Sequence, residues 1–132
     1  MKKQVILAMG LAAAVALLSA GPRGASARQF TNLKVLPKGI SSKDLQHIMI
    51  DEFEDGLGVR CAFCHAGPAG SDKLDYASDA KPEKAIARNM MRMTLKLNAR
   101  YFQVHRPVLG GAGLVITCTT CHQGRPRPDE EQ

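Results

Sequence analysis

The stretch Val59-Arg60-Cys61-Ala62-Phe63-Cys64-His65 sets two cysteines with two residues between them and puts a histidine directly after the second. Near the end of the chain the same arrangement returns as Thr117-Cys118-Thr119-Thr120-Cys121-His122. The two copies use every cysteine in the molecule. A single copy is a five-residue pattern that chance can supply, but two copies that leave no cysteine over demand a common purpose.

A haem is held covalently when two cysteine sulfurs reach its two vinyl groups. The Cys-x-x-Cys spacing on one turn of helix suits that, and the next histidine then sits under the iron as an axial ligand. Zinc is the first rival, but its Cys-x-x-Cys pairs are usually about 15–20 residues apart, whereas 53 residues lie between Cys64 and Cys118. Local disulfides or a dithiol redox pair are the second, and they leave His65 and His122 idle just as zinc does. Covalent haem is the reading that employs all six residues. It assigns Cys61, Cys64, Cys118 and Cys121 to thioether links and His65 and His122 to two irons, for two haem c groups.

The first residues decide the compartment. Lys2 and Lys3 precede an apolar run from Val5 to Ala20, and Ala25-Ser26-Ala27 has the small-x-small form of a signal peptidase site. The run falls short of the roughly 20 residues of a spanning helix. The expectation is a cleaved leader at 1–27, a mature chain from about Arg28 and a periplasmic location, with an uncleaved anchor as the alternative. Export agrees with the cysteine reading, because c-type haem is attached on the far side of the cytoplasmic membrane.

Cleavage leaves 105 of the 132 residues, near the lower limit for a chain that must bury a core of its own. Something besides side chains is expected to fill it. Three of the 18 basic residues (Lys2, Lys3 and Arg23) leave with the leader, so 15 then face 12 acidic ones. With that weak charge, no continuous basic run, six Phe and Tyr and no Trp, nucleic acid is excluded as a natural partner.

The mature pattern is helical, with strand signals nearly absent, so the fold class is all-α. Residues 28–40 hold apolar positions with Pro37 and Gly39 and read as an extended lead-in strapped over the domain. Ser41 and Asp44 then form a capping pattern, and Leu45, Ile48, Met49, Phe53 and Leu57 recur at helical spacing until Gly56 and Gly58. On that helix Met49 falls mid-stripe and His47 nearly opposite. After the first motif and a loop over 66–80, a long helix is expected with Asp79 as its cap and Pro82 in its first turn, running to about Phe102. Its main apolar stripe is Ile86, Met90, Met93, Leu97 and Tyr101, with Met91, Leu95 and Phe102 on the other side. A helix apolar on two sides is expected to be sandwiched. A Pro/Gly-broken connection over 106–116 leads to the second motif, so the domain is taken as 28–126 with a disordered tail over 127–132.

The sixth iron ligand separates electron transfer from chemistry at the iron. His47 and His105 are the spare histidines, which makes a bis-histidine pair arithmetically possible. The methionines are the rival donors. Met49 lies on the inward face 12 residues before Cys61, whereas His47 points away, so Met49 is preferred for the first haem. For the second, Met90 and Met93 share the inward stripe and Met91 does not.

With these residues in view, the chain resembles the cytochrome c subunit family of photosynthetic reaction centres, above all short two-haem relatives of it. The resemblance covers about residues 32–126 and rests on NLKVLPKGIS, on IM ahead of LGVRCAFCH, on DYASDAKPEKAIARNMMRMTLKLNARYF and on ITCTTCHQGRPRP. In that family each methionine ligand comes from a helix preceding its motif. By position the resemblance implies Met49 as distal ligand of the first haem and Met90 of the second, with Met93 the alternative. Well-known members carry four haems and dock on a membrane reaction centre, whereas this chain has two motifs. His105 then reads as a surface residue, a remnant of a ligand to another haem, or a ligand to a neighbour's iron.

The expected function is that of an exported diheme c-type cytochrome carrying electrons between redox partner proteins, among them a membrane-bound oxidoreductase or reaction centre. No small-molecule substrate and no catalysis are expected. Charged residues beside the motifs are candidate docking groups: Asp51, Glu52, Glu54 and Asp55 near the first, and Arg88, Arg92, Lys96 and Arg100 along the long helix. The alternative is a peroxidase-like enzyme or gas sensor with one five-coordinate haem.

Overall fold

The computed structural model describes residues 30–129. The proposed leader at 1–27 and the last three residues of the tail lie outside them. Among the described residues the structure is helical, without a strand; the nearest approach to sheet is an isolated bridge between Ala66 and Asp75. None of these helices is long and apolar enough to cross a membrane.

Ser41 opens the first helix as expected. Its hydroxyl accepts from the Asp44 backbone N–H at 3.1 Å and donates to the Asp44 carboxylate at 2.7 Å. The α-helix Ser42–His47 then passes without a break into a π-helical segment, Ile48–Asp55. Such wide turns are rare and cluster at functional sites. This one carries Met49, Glu52 and Phe53. The chain next makes the short helix Cys61–Cys64, whose turn is closed by the His65 N–H donating to the Cys61 carbonyl at 3.0 Å.

The long helix runs Pro82–Tyr101, with Lys81 as its N-cap residue. Asp79, the cap expected from the sequence, is drawn away by cations: it accepts from Lys34 at 2.6 Å, Arg88 at 2.7 Å and Asn32 at 2.9 Å. Pro82 needs no donor at the first helical position, so little is lost there. The second motif forms the helix Cys118–His122, capped reciprocally by Thr117 and Thr120, and ends at Gln123 in the left-handed conformation.

The core is small. Leu36, Ile48, Met91 and Leu109 form its buried centre, with residues such as Leu33, Val35, Phe53, Leu95 and Leu114 packed around it. The lead-in supplies Leu33, Val35 and Leu36, so it is strapped over the domain as its pattern implied. The two motif regions meet where the Gly124 N–H donates to the Gly56 carbonyl at 3.0 Å.

One expectation is reversed on the long helix. Its buried residues are Lys84, Met91, Thr94 and Asn98, while Met90 is 40% and Met93 46% exposed, with Ile86 and Tyr101 more so. Hydropathy alone favoured the Ile86–Met90–Met93–Tyr101 stripe. The packed side instead contains polar groups that find partners: Asn98 is fully buried because it makes four hydrogen bonds, described below. Among the described residues one of the two apolar faces is covered and the other is not.

Candidate haem sites

The first motif opens into a cavity of roughly 670 Å³. Cys61, Cys64 and His65 line it together with Met49, which comes from the π-helical segment, and Met91, which comes from the long helix. Leu33, Leu36, Leu45 and Phe53 supply apolar wall. Burial, then the Glu83 carboxylate, raise the Cys64 thiol above its usual range. Nδ1 of His65 is buried and lacks a well-formed hydrogen bond, and the Tyr76 ring stands edge-on at 5.0 Å. Burial first, then the Lys84 ammonium, hold this imidazole below its ordinary pKa, against the pull of the Tyr76 carbonyl. A neutral imidazole is the form that binds a metal.

Residues and cavity together fit a haem: two thiols on one turn, a neutral imidazole beside them, a thioether in the same cavity, and largely apolar walls. His47 has no part in it. It is exposed, and its Nδ1 lies 2.7 Å from the Asp51 carboxylate on the outer face of the helix. The angular reading that separated Met49 from His47 agrees with this placement, even though the π-helical turn was not foreseen.

At the second motif Cys118 is buried, Cys121 exposed and His122 half-buried. Nδ1 of His122 is 2.9 Å from the Arg125 carbonyl. With Nδ1–H donating there, Nε2 is the nitrogen left to face an iron, the usual way a ligating imidazole is oriented. Burial, then Glu52, push the Cys118 thiol up to about 12. Two polar side chains hold this motif in place. Glu52 accepts from the Cys118 N–H at 3.1 Å. Asn98 donates from Nδ2 to the Thr94 and Ile116 carbonyls at 2.9 and 2.7 Å, while its Oδ1 accepts from the N–H groups of Val115 and Ile116 at 2.7 and 3.1 Å.

Two of the candidate docking charges change role. Glu52 is buried against the second motif rather than displayed with Asp51 and Asp55. Arg88 is turned toward Asp79 and the Asn32 carbonyl, with its side chain 12% exposed. Asn98, Lys84 and the Thr117–Thr120 pair escaped sequence reasoning. Only the threonine pair left a trace there, as a residue N-terminal to the motif followed three positions later by a second hydroxyl. His105 is exposed.

None of the four cysteines is paired in a disulfide, and no three His, Cys, Asp or Glu residues gather as a metal-binding group among the described residues. The Cys-x-x-Cys pairs therefore do not assemble a zinc site. Two short Cys-x-x-Cys helices, each with a histidine directly after the second cysteine, and no strand among the described residues define a small c-type cytochrome.

Comparison with known proteins narrows that class. A family model described as photosynthetic reaction centre cytochrome C subunit matches residues 12–131. Cytochrome c-554 of Chloroflexus aurantiacus is 35% identical over 95 residues, covering 72% of this chain and 20% of its own. The photosynthetic reaction center cytochrome c subunit of Rubrivivax gelatinosus is 32% identical over 120 residues, covering 76% of this chain and 31% of its own. The chain thus spans less than a third of the length of either relative. No solved structure gives a significant match. The chain belongs to the photosynthetic reaction centre cytochrome c subunit family.

Proposed function

We propose that this chain is an exported diheme c-type cytochrome that carries electrons between redox partner proteins by outer-sphere transfer. The observation that carries the reading is the cavity shared by Cys61, Cys64, His65 and Met49. A haem bound there supplies a one-electron iron couple. The chain's own residues would do the rest: Cys61 and Cys64 would tether it, His65 and Met49 would be its iron ligands, and Leu33, Leu36 and Phe53 would keep water out. A methionine opposite a histidine favours a higher potential than two histidines would.

For the second haem, Cys118 and Cys121 tether, His122 ligates, and the long helix offers Met90 or Met93. The apolar stripe that includes both is the face that this haem would cover. Asn98 ties residues 115–116, just ahead of the motif, to the long helix. At about 100° per residue, Met90 lies about 80° from the Asn98 direction and Met93 about 140°. Met90 is therefore the better placed donor.

With Met49 and Met90 both serving as ligands, neither iron would offer a position to substrate, which favours a carrier over an enzyme or gas sensor. The partners are a membrane-bound oxidoreductase or reaction centre on the periplasmic side, reached after removal of residues 1–27.

The deciding experiment is the optical spectrum of the purified protein, ferric and ferrous, with and without carbon monoxide, for wild type, Met49→Ala and Met90→Ala. Two low-spin haems, no carbon monoxide shift in the wild type, and one opened iron in each variant are expected. Carbon monoxide binding by the wild type would transfer the case to the enzyme or sensor reading. An unchanged Met90→Ala spectrum with an opened Met93→Ala iron would move the second ligand to Met93.

A further inference from the structure

The cavity of the first motif is apolar over most of its wall and cationic on one side. Lys34, Arg60, Lys84 and Arg88 line it against one carboxylate, Glu54. Two of these cations are withdrawn from water: the Lys84 side chain is 11% exposed and that of Arg88 12%. Lys84 Nζ donates to the carbonyls of Tyr76 and Ser78 at 2.7 and 2.6 Å. Asp79, which does not itself line the cavity, accepts from Arg88 and Lys34 and stands 3.7 Å from Lys84 Nζ.

Asp79 faces three cations, and with Asp75 also acting on Lys84 two carboxylates stand against them, so positive charge is left over along this wall. It is fixed charge, because carbonyls hold the ammonium and Asp79 holds the guanidinium. A buried ammonium is costly unless its field is used. An apolar residue at position 84 would have completed the wall without that cost. His65 lines the same cavity, and Lys84 is the strongest charged influence on its imidazole.

Granting the haem reading above, we infer that Lys84, together with the Arg88 that Asp79 clamps, receives the carboxylates of the first haem and raises its reduction potential. Loss of one electron from ferrous iron leaves the site one charge more positive. A cation fixed in a poorly hydrated wall opposes that charge, whereas a solvated one would be screened. Second-shell charge and burial are recognised controls on haem potential.

The test is a spectroelectrochemical titration of the full holoprotein as wild type, Lys84→Met, Lys84→Arg and Asp79→Asn, the two midpoints being assigned by the one that moves in Met49→Ala. Lys84→Met is expected to lower the first midpoint by at least the equivalent of a tenfold change in the ferrous to ferric ratio, 59 mV for a one-electron couple. Lys84→Arg should stay near wild type. Asp79→Asn should move the same midpoint upward, because it deletes negative charge, and the second haem should stay still throughout. A downward shift or none in Asp79→Asn, a fall in Lys84→Arg equal to that in Lys84→Met, or equal shifts at both haems would overturn the inference, since packing would then be the cause. If Lys84→Met does not accumulate, the upward shift expected in Asp79→Asn, with Lys84→Arg near wild type, still decides it. Peptide masses showing no haem on Cys61 and Cys64 would instead sink the haem reading itself.

Discussion

The backbone N–H of Cys118 donates to the Glu52 carboxylate at 3.1 Å, so the residue that opens the second motif helix hangs on the π-helical segment that carries Met49. Sixty-six positions separate the two residues. A buried N–H left without its acceptor cannot turn to water. Hydrogen bonds to charged groups contribute about 1.5–3 kcal/mol, and Glu52→Ala is expected to cost that much. Glu52→Gln should cost less, because an amide oxygen still accepts. Thermal unfolding measures both, and equal midpoints for Glu52→Ala and wild type would contradict the linkage.

Asn98 is the most deeply buried polar side chain, with no exposed surface. Its Oδ1 accepts two backbone N–H groups and its Nδ2 donates to two carbonyls. Asn98→Ala strands several of these at once, at about 1–3 kcal/mol for each group left unsatisfied. The expected loss is therefore at least about 2 kcal/mol. It should appear as a lower denaturant midpoint with an unchanged slope. On the two-haem reading proposed above, haem content at Cys118 and Cys121 should fall before that at Cys61 and Cys64.

Gly58 has φ +65°, and a Cβ there would strike the Gly124 carbonyl oxygen. Gly58→Ala combines a left-handed backbone, roughly 1–2 kcal/mol for an L-residue, with a backbone clash where the two motif regions meet. It is expected to destabilise by more than that cost alone. Gly113→Ala is the control, since a Cβ there meets open space, and it should stay within about 0.5 kcal/mol of wild type. Similar melting curves for the two variants would refute the close approach.

Asp79 carries a carboxyl well below the usual range because Lys34 and then Arg88 donate to it. A depressed folded pKa stabilises fully above the ordinary value of 3.8. That contribution is lost as pH falls from there through the folded value. Wild type should lose stability more steeply than Asp79→Asn below about pH 4. Parallel stability curves in acid would show that the cluster contributes nothing.

Much of the proposed chemistry is legible in short local patterns. The haem attachment proposed above would depend on residues within one helical turn of each other, and Cys61 to His65 and Cys118 to His122 are local patterns. The Ser41 cap and the opposed faces of Met49 and His47 are also local, because helical spacing sets them. The lead-in was readable as a strap from Pro37 and Gly39 among apolar residues. Three things escaped: the π-helical turn, the role of Asp79, and the packed face of the long helix. Asp79 had the residue type and position of a cap, but the distant Asn32 and Lys34, together with Arg88 on the helix itself, outcompete that local use. The face of the long helix was misjudged because apolar periodicity cannot register a buried lysine held by the carbonyls of the preceding loop, or a buried asparagine whose partners at Val115 and Ile116 lie on another segment.

The sequence by itself determined the class of the fold, the family and the six residues of the two motifs, all of which rest on short-range spacing. Tertiary structure alone decided that Met49 and Met91 share a cavity with His65, that Glu52 is a buried tether rather than a docking charge, and that Asn98 holds the approach to the second motif. A buried polar group is settled by which groups lie within about 3 Å to satisfy it, and a cavity wall by which elements pack around it; both are distances that belong to the folded chain.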